Sequence, residues 1–156
     1  MSFTLSGAIT GGPQTDLTSP TYTATADTAP DLRSKQFAFL AIGGTQAGVY
    51  AHSVTAPFTC TFRRPSFLRT LGQAVVNGIT GRYSKIPIND YVMIVRKAAL
   101  IAAGQYVVNE YRATFRIYAG TETYDAPNVR AGFSLFVGAI NTNSAGIGDA
   151  SITGII

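Results

Sequence analysis

Residues 106–119, Tyr-Val-Val-Asn-Glu-Tyr-Arg-Ala-Thr-Phe-Arg-Ile-Tyr-Ala, constrain this chain more than any other stretch. They hold no glycine or proline and are rich in β-branched and aromatic residues, the composition of a strand. Side chains two apart on a strand share a face. Val107, Asn109, Tyr111, Ala113, Phe115 and Ile117 therefore fall on one side, and Val108, Glu110, Arg112, Thr114, Arg116 and Tyr118 on the other. The run Phe58-Thr59-Cys60-Thr61-Phe62-Arg63 repeats the pattern, with apolar residues alternating against Thr59, Thr61 and Arg63 before Pro65 ends it. Two such segments predict an antiparallel sheet with an apolar face and a basic, threonine-lined face.

Further β-prone runs lie at 36–42, 49–55, 82–88 and 91–100. Pro87 cannot donate to a ladder and marks an edge, a bulge or a strand end. In 82–88, Ile86 and Ile88 are expected to face the core, which puts Tyr83 and Lys85 on the polar side. Residues 1–31 carry short alternating pieces around the turn signal Gly11-Gly12-Pro13. They have too few apolar side chains for a core of their own, so a hairpin or arm lying on the main sheet or on another subunit is expected. Residues 66–81 form a long connection that closes on Asn77-Gly78 and Gly81.

After Gly120 the period changes. Thr123 or Asp125 suits a helix cap and Pro127 its first turn. Val129, Phe133, Phe136, Val137 and Ile140 then recur at helical spacing. Asn141-Thr142-Asn143 and Gly146 are expected to stop that helix, and Asp149 to cap a short final turn at 150–153. The predicted fold class is α+β in one domain, 1–156: an N-terminal hairpin or arm (1–31), a five-stranded antiparallel sheet (36–119) and two C-terminal helices (124–156).

Charged residues make up only 13% of the chain, against roughly 25% in an ordinary soluble domain. No stretch approaches the ~20 apolar residues of a membrane helix, and the first residues resemble no secretory signal. A membrane partner is not expected. A surface so poor in charge is expected to be covered by copies of the same chain. The charge that exists is unevenly placed. Residues 1–31 hold three acids and no base, whereas 57–119 hold nine bases against two acids, a local excess of +7. Such a basic middle suits either a polyanion or an ordinary solvated sheet face.

Little points to catalysis. His52 is the single histidine, in a strand-like run where a hydrogen-bonded structural role is expected. The lone Cys60 excludes an intramolecular disulfide and is expected to be a buried thiol. Nucleophile elbows, phosphate-binding loops and zinc spacings are missing from the sequence, so no catalytic residue, metal or cofactor is assigned. Glu110 is expected to pair with Arg112 or with a neighbouring strand. The alternative chemistry is recognition of single-stranded RNA, where basic side chains meet phosphates and rings stack on unpaired bases. The candidate residues are Thr59, Thr61, Arg63, Tyr83, Lys85, Arg112, Thr114 and Arg116.

The order of elements and several segments resemble the coat proteins of single-stranded RNA bacteriophages, the levivirus group. Phe58-Thr59-Cys60-Thr61-Phe62-Arg63-Arg64-Pro65 is similar to that family's central strand, and Arg82-Tyr83-Ser84-Lys85-Ile86 to the next one. Thr114-Phe115-Arg116-Ile117-Tyr118-Ala119 and the helix after it resemble the last strand and first helix, and 143–149 the turn into the second. The likeness covers 49–156 well and the first 48 residues poorly, and it leaves 66–81 as an addition.

It implies a homodimer with sheets joined edge to edge and helices laid across the partner, packed through Phe115, Ile117, Val129, Phe133, Phe136, Val137 and Ile140. It further implies an icosahedral virion shell assembled in the bacterial cytoplasm, with genomic single-stranded RNA, or a hairpin of it, on the inner face. The loop at 98–105 would sit at symmetry axes. Two other readings stay open on the residues: a β-rich phage tail, tube or decoration protein without RNA, and an enzyme or monomeric ligand-binding domain.

Overall fold

The computed structural model describes residues 2–156. The chain forms β1 (Ala8–Thr10), β2 (Thr18–Asp27), β3 (Ser34–Thr45), β4 (Phe58–Arg63), β5 (Val75–Val76), β6 (Tyr83–Ser84), β7 (Ile88–Ala102) and β8 (Gln105–Tyr118). The helices α1 (Thr121–Tyr124), α2 (Ala126–Thr142) and α3 (Ser144–Thr153) follow. The architecture is the predicted α+β one. The large sheet has the order β1-β2-β3-β4-β7-β8, with every neighbouring pair antiparallel. It has six strands rather than five: four come from residues 34–118, and the N-terminal hairpin, which does not stand apart, adds two. β2 pairs with β3 along most of its length, so β1 and β2 extend the sheet.

The core sits on one face of this sheet. Phe39, Phe58 and Cys60 are buried there, with Tyr22, Ile9, Met93 and Val95 packed round them. The Phe39 and Phe58 rings lie 4.9 Å apart, and Tyr22 meets Phe58 edge-on at 5.4 Å. Residues ahead of β1 fold back over the same face, where Phe3 stacks on Phe62 at 4.7 Å. Cys60 is the expected buried thiol, and desolvation pushes its pKa up to about 11.

Three local expectations fail. Residues 49–55 form no strand. They belong to a loop pinned by His52, whose N–H donates to the Phe39 carbonyl (2.8 Å) and whose Nδ1 accepts from the Phe58 N–H (3.0 Å). Residues 82–88 are not a strand of the main sheet either. Only Tyr83–Ser84 is extended, in a separate two-stranded ladder with Val75–Val76. Lys85 then adopts φ +52°, which breaks the alternation, and β7 begins after Pro87. Finally, α3 starts at Ser144 and runs through Gly146, where a short turn at 150–153 was expected. The hairpin tip supports its first turn: Gln14 Nε2 donates to the Ser144 carbonyl (2.9 Å) and to Ser144 Oγ (2.6 Å), and Thr15 donates to Asp149 (2.9 Å).

The added segment between β4 and β7 is tied down by one side chain. Asn89, 1% exposed, accepts from the Arg69 N–H (2.8 Å) and donates to the Arg69 carbonyl (3.0 Å), as a neighbouring strand would. Gly120, at φ +96°, turns the chain from β8 into α1 and lets Leu71 approach. A Cβ at Gly120 would lie 3.2 Å from two Leu71 carbons. Asn89→Ala should lose both bonds at a cost of about 1–3 kcal/mol. Limited proteolysis of this variant is expected to cut within 66–87 well before it cuts the large sheet.

Candidate nucleic-acid interface

Backbone register decides which side chains share a face. β4 and β7 pair Thr59 with Arg96, Thr61 with Ile94 and Arg63 with Val92. β7 and β8 pair Arg96 with Glu110, Ile94 with Arg112, Val92 with Thr114 and Asp90 with Arg116. Thr59, Thr61, Arg63, Arg112, Thr114 and Arg116 therefore share one face, as their parity predicted. The opposite face carries Phe58, Cys60, Phe62, Tyr91, Val95, Tyr111, Phe115 and Ile117. α2 stands over its β8 end, with Phe133 and Phe136 meeting the Phe115 ring edge-on at 5.0 and 5.3 Å.

The six co-facial residues are not equally accessible. Thr59 and Thr61 are 6% and 2% exposed. The Thr61 hydroxyl donates to Gln36 Oε1 (2.9 Å), and Gln36 Nε2 in turn donates to Asp27 (2.7 Å). These threonines form the floor of the face, and one hydroxyl is already engaged. Thr114, Arg112 and Arg116 are exposed, with side-chain exposures of 56% for Arg112 and 70% for Arg116. Arg63 is half-buried between β3 and the β2–β3 turn, where it reaches Asp31 at 3.2 Å and Ser34 at 3.4 Å. The Ser34 hydroxyl, with help from the Arg33 amide and the Arg63 and Arg33 guanidiniums, holds the Asp31 carboxyl below its ordinary pKa against a smaller opposing effect of desolvation.

Arg96 was missed as a member of this face, although it shares the parity of Ile94 and Val92 on β7. Acids are interleaved with the arginines. Glu110 takes both Arg96 (3.1 Å) and Arg112 (3.2 Å), and Asp90 meets Arg116 at 3.6 Å. The +7 of residues 57–119 is thus not gathered on one surface. Lys97 lies on the opposite face, its ammonium 4.8 Å from the Phe58 ring centre and donating to the Tyr50 carbonyl (2.7 Å). Burial there lowers the Lys97 pKa. Tyr83 and Lys85 lie off the sheet, on the added segment. Lys85 nonetheless lines an open depression together with Asp90 and Arg116, at the edge of the basic face.

The other predicted set, for subunit packing, is largely open. Phe133, Phe136, Val137 and Ile140 are 40–50% exposed, and no residue of α2 is buried. A cavity of about 940 Å³ runs between the sheet and α2, lined by Phe62, Tyr91, Phe115, Ile117, Val129 and Phe133 among others. β8 is an edge strand of 14 residues with Tyr106, Val107, Val108 and Tyr111 exposed. Long apolar edges of this kind are templates for pairing with another chain. Among the described residues, no cluster of potential metal ligands occurs and no helix is long and apolar enough to cross a membrane.

An open edge strand, an uncovered apolar helix and a two-faced sheet define a subunit built for association. Comparison with known proteins gives the class a family. A virus-like particle of bacteriophage ESE020 contains a chain 45% identical to this one, with a TM-score of 0.93, covering 99% of this chain and 100% of that one. The chain belongs to this family of bacteriophage capsid proteins, which are structural proteins. No family model and no curated protein matches the sequence.

Exposed pairs such as those of Glu110 contribute only about 0–1 kcal/mol each, so the acid can be neutralised without loss of the fold. Glu110→Gln should release Arg96 and Arg112 together. Dissociated subunits of this variant are expected to elute from a heparin column at higher salt than the parent.

Proposed function

We propose that this chain is the coat subunit of a single-stranded RNA phage of the levivirus kind. Two copies join their sheets edge to edge through β8, and each lays α2 and α3 across the partner. The dimers close into an icosahedral shell, assembled in the bacterial cytoplasm, that packages genomic RNA. One observation carries this reading: the two faces of a single sheet differ in chemistry. One is apolar and partly roofed by α2. The other is open and presents Arg96, Arg112, Thr114 and Arg116, with Arg63 at its margin.

Joining β8 to a second β8 satisfies the free N–H and C=O groups of the edge, which an isolated subunit leaves to water. The exposed apolar side of α2 gains a partner sheet in the same step. The opposite face then points inward. Its arginines are held by carboxylates at the surface, where ion pairs are weak, and phosphates can compete for them with bidentate geometry. The particle formed by the similar bacteriophage protein favours a closed shell over a tail, tube or decoration protein.

Expression of the chain alone tests the reading. Closed isometric particles containing host RNA are expected, and tubes, RNA-free rings or monomers would contradict it. Replacing Arg112 and Arg116 together with alanine should leave dimers intact and reduce packaged RNA. The dependence of binding on salt should flatten by about 0.7 in log–log slope for each phosphate no longer neutralised. Unchanged RNA content and slope would mean that the packaged strand lies elsewhere.

A further inference from the structure

The segment between β4 and β7 borders, with the end of the sheet, an open depression of about 660 Å³ lined mainly by cations among its charged residues. Arg69, Lys85 and Arg116 line it, with Asp90 as the one acid. Asp90 meets Arg116 at 3.6 Å, well beyond the ~2.7–2.9 Å of a strong charge-assisted bond, so most of that guanidinium's donors stay free. Phe67 lines the same depression. Phe67 is 56% exposed, and the Arg69 guanidinium sits 5.6 Å from the centre of its ring. An exposed ring beside an arginine is the combination on which unpaired bases stack.

The backbone holds this arrangement in place. Lys85 adopts φ +52°, a left-handed conformation that is strained for a non-glycine residue. The turn at Lys85 carries the chain out of the β5–β6 ladder and into β7. On the other wall, the Asn89 amide clamps the Arg69 backbone, so Arg69 is fixed relative to the sheet that carries Asp90 and Arg116. The Arg69 backbone is therefore anchored to the sheet, while the Arg69 and Lys85 side chains stay exposed.

We propose that this depression is a nucleotide pocket for the packaged strand. It would take one unpaired nucleotide, with its phosphate between Arg69, Lys85 and Arg116 and its base on Phe67. The inference rests on the RNA-packaging reading, but it adds a site at the margin of the sheet face, where the inserted segment meets Arg116. Free inorganic phosphate has the same anion chemistry, and the experiment separates the two.

Particles purified with their RNA are irradiated at short ultraviolet wavelength, digested with nuclease and protease, and searched by mass spectrometry for nucleotide adducts. An adduct on the peptide carrying Phe67 is expected. Its yield should fall several-fold in the Arg69→Gln/Lys85→Gln variant and in Phe67→Leu, while adducts on β8 persist. Adducts confined to the sheet strands would overturn the pocket and leave the packaging reading intact. Particles devoid of RNA would instead remove the packaging reading and the pocket with it. Binding of inorganic phosphate to dissociated subunits, seen by ³¹P NMR and abolished in the double variant, with no Phe67 adduct in particles, would assign the depression to a free anion and overturn the proposal.

Discussion

The hydrogen-bonding groups along the outer side of β8 dominate the design of this subunit. β8 is bonded to β7 over nearly its whole length, and among the described residues no strand lies on its other side. Backbone polar groups seek partners, and a long edge carrying tyrosine and valine invites another chain. The opposite edge is β1, only three residues long, which offers little to pair with. The sheet thus has one sticky edge and one blunted edge, an asymmetry that favours closed pairs over endless ribbons.

The helices follow from the same constraint. α1 leaves β8 through Gly120, so α2 begins at the open edge and carries Phe133 and Phe136 against Phe115 without burying either ring. An amphipathic helix ordinarily derives its stability from tertiary packing. Here the packing is half supplied by the chain itself, and the proposed second copy across the edge would complete it. On the N-terminal side, Gln14 and Thr15 hold α3, so the arm both extends the sheet and fixes the far end of the helical layer.

Much of the interface could be read from residue order. Alternation with period two needs no knowledge of neighbours, so the shared face of Thr59, Thr61, Arg63, Arg112, Thr114 and Arg116 followed from the chain alone. Accessibility did not follow, because it depends on register: Thr61 is covered once Gln36 and Ile94 fall beside it. Nor did the placement of Lys85, since its positive φ is imposed by the inserted segment and has no glycine to announce it. Arg96 lies inside the predicted 91–100 run, but which face it takes depends on its pairing with Thr59 and Glu110. The helix restart at Ser144 depends on Gln14, 130 residues away, beyond any local signal.

Edge pairing through β8 is the central claim, and residue-resolved amide hydrogen exchange tests it most directly. In assembled particles, the amides of Gln105–Tyr118 that point away from β7 should be protected as strongly as those bonded to β7. They should exchange rapidly once dimers are separated. Fast exchange of those outward amides in intact particles would show an open edge and contradict the account.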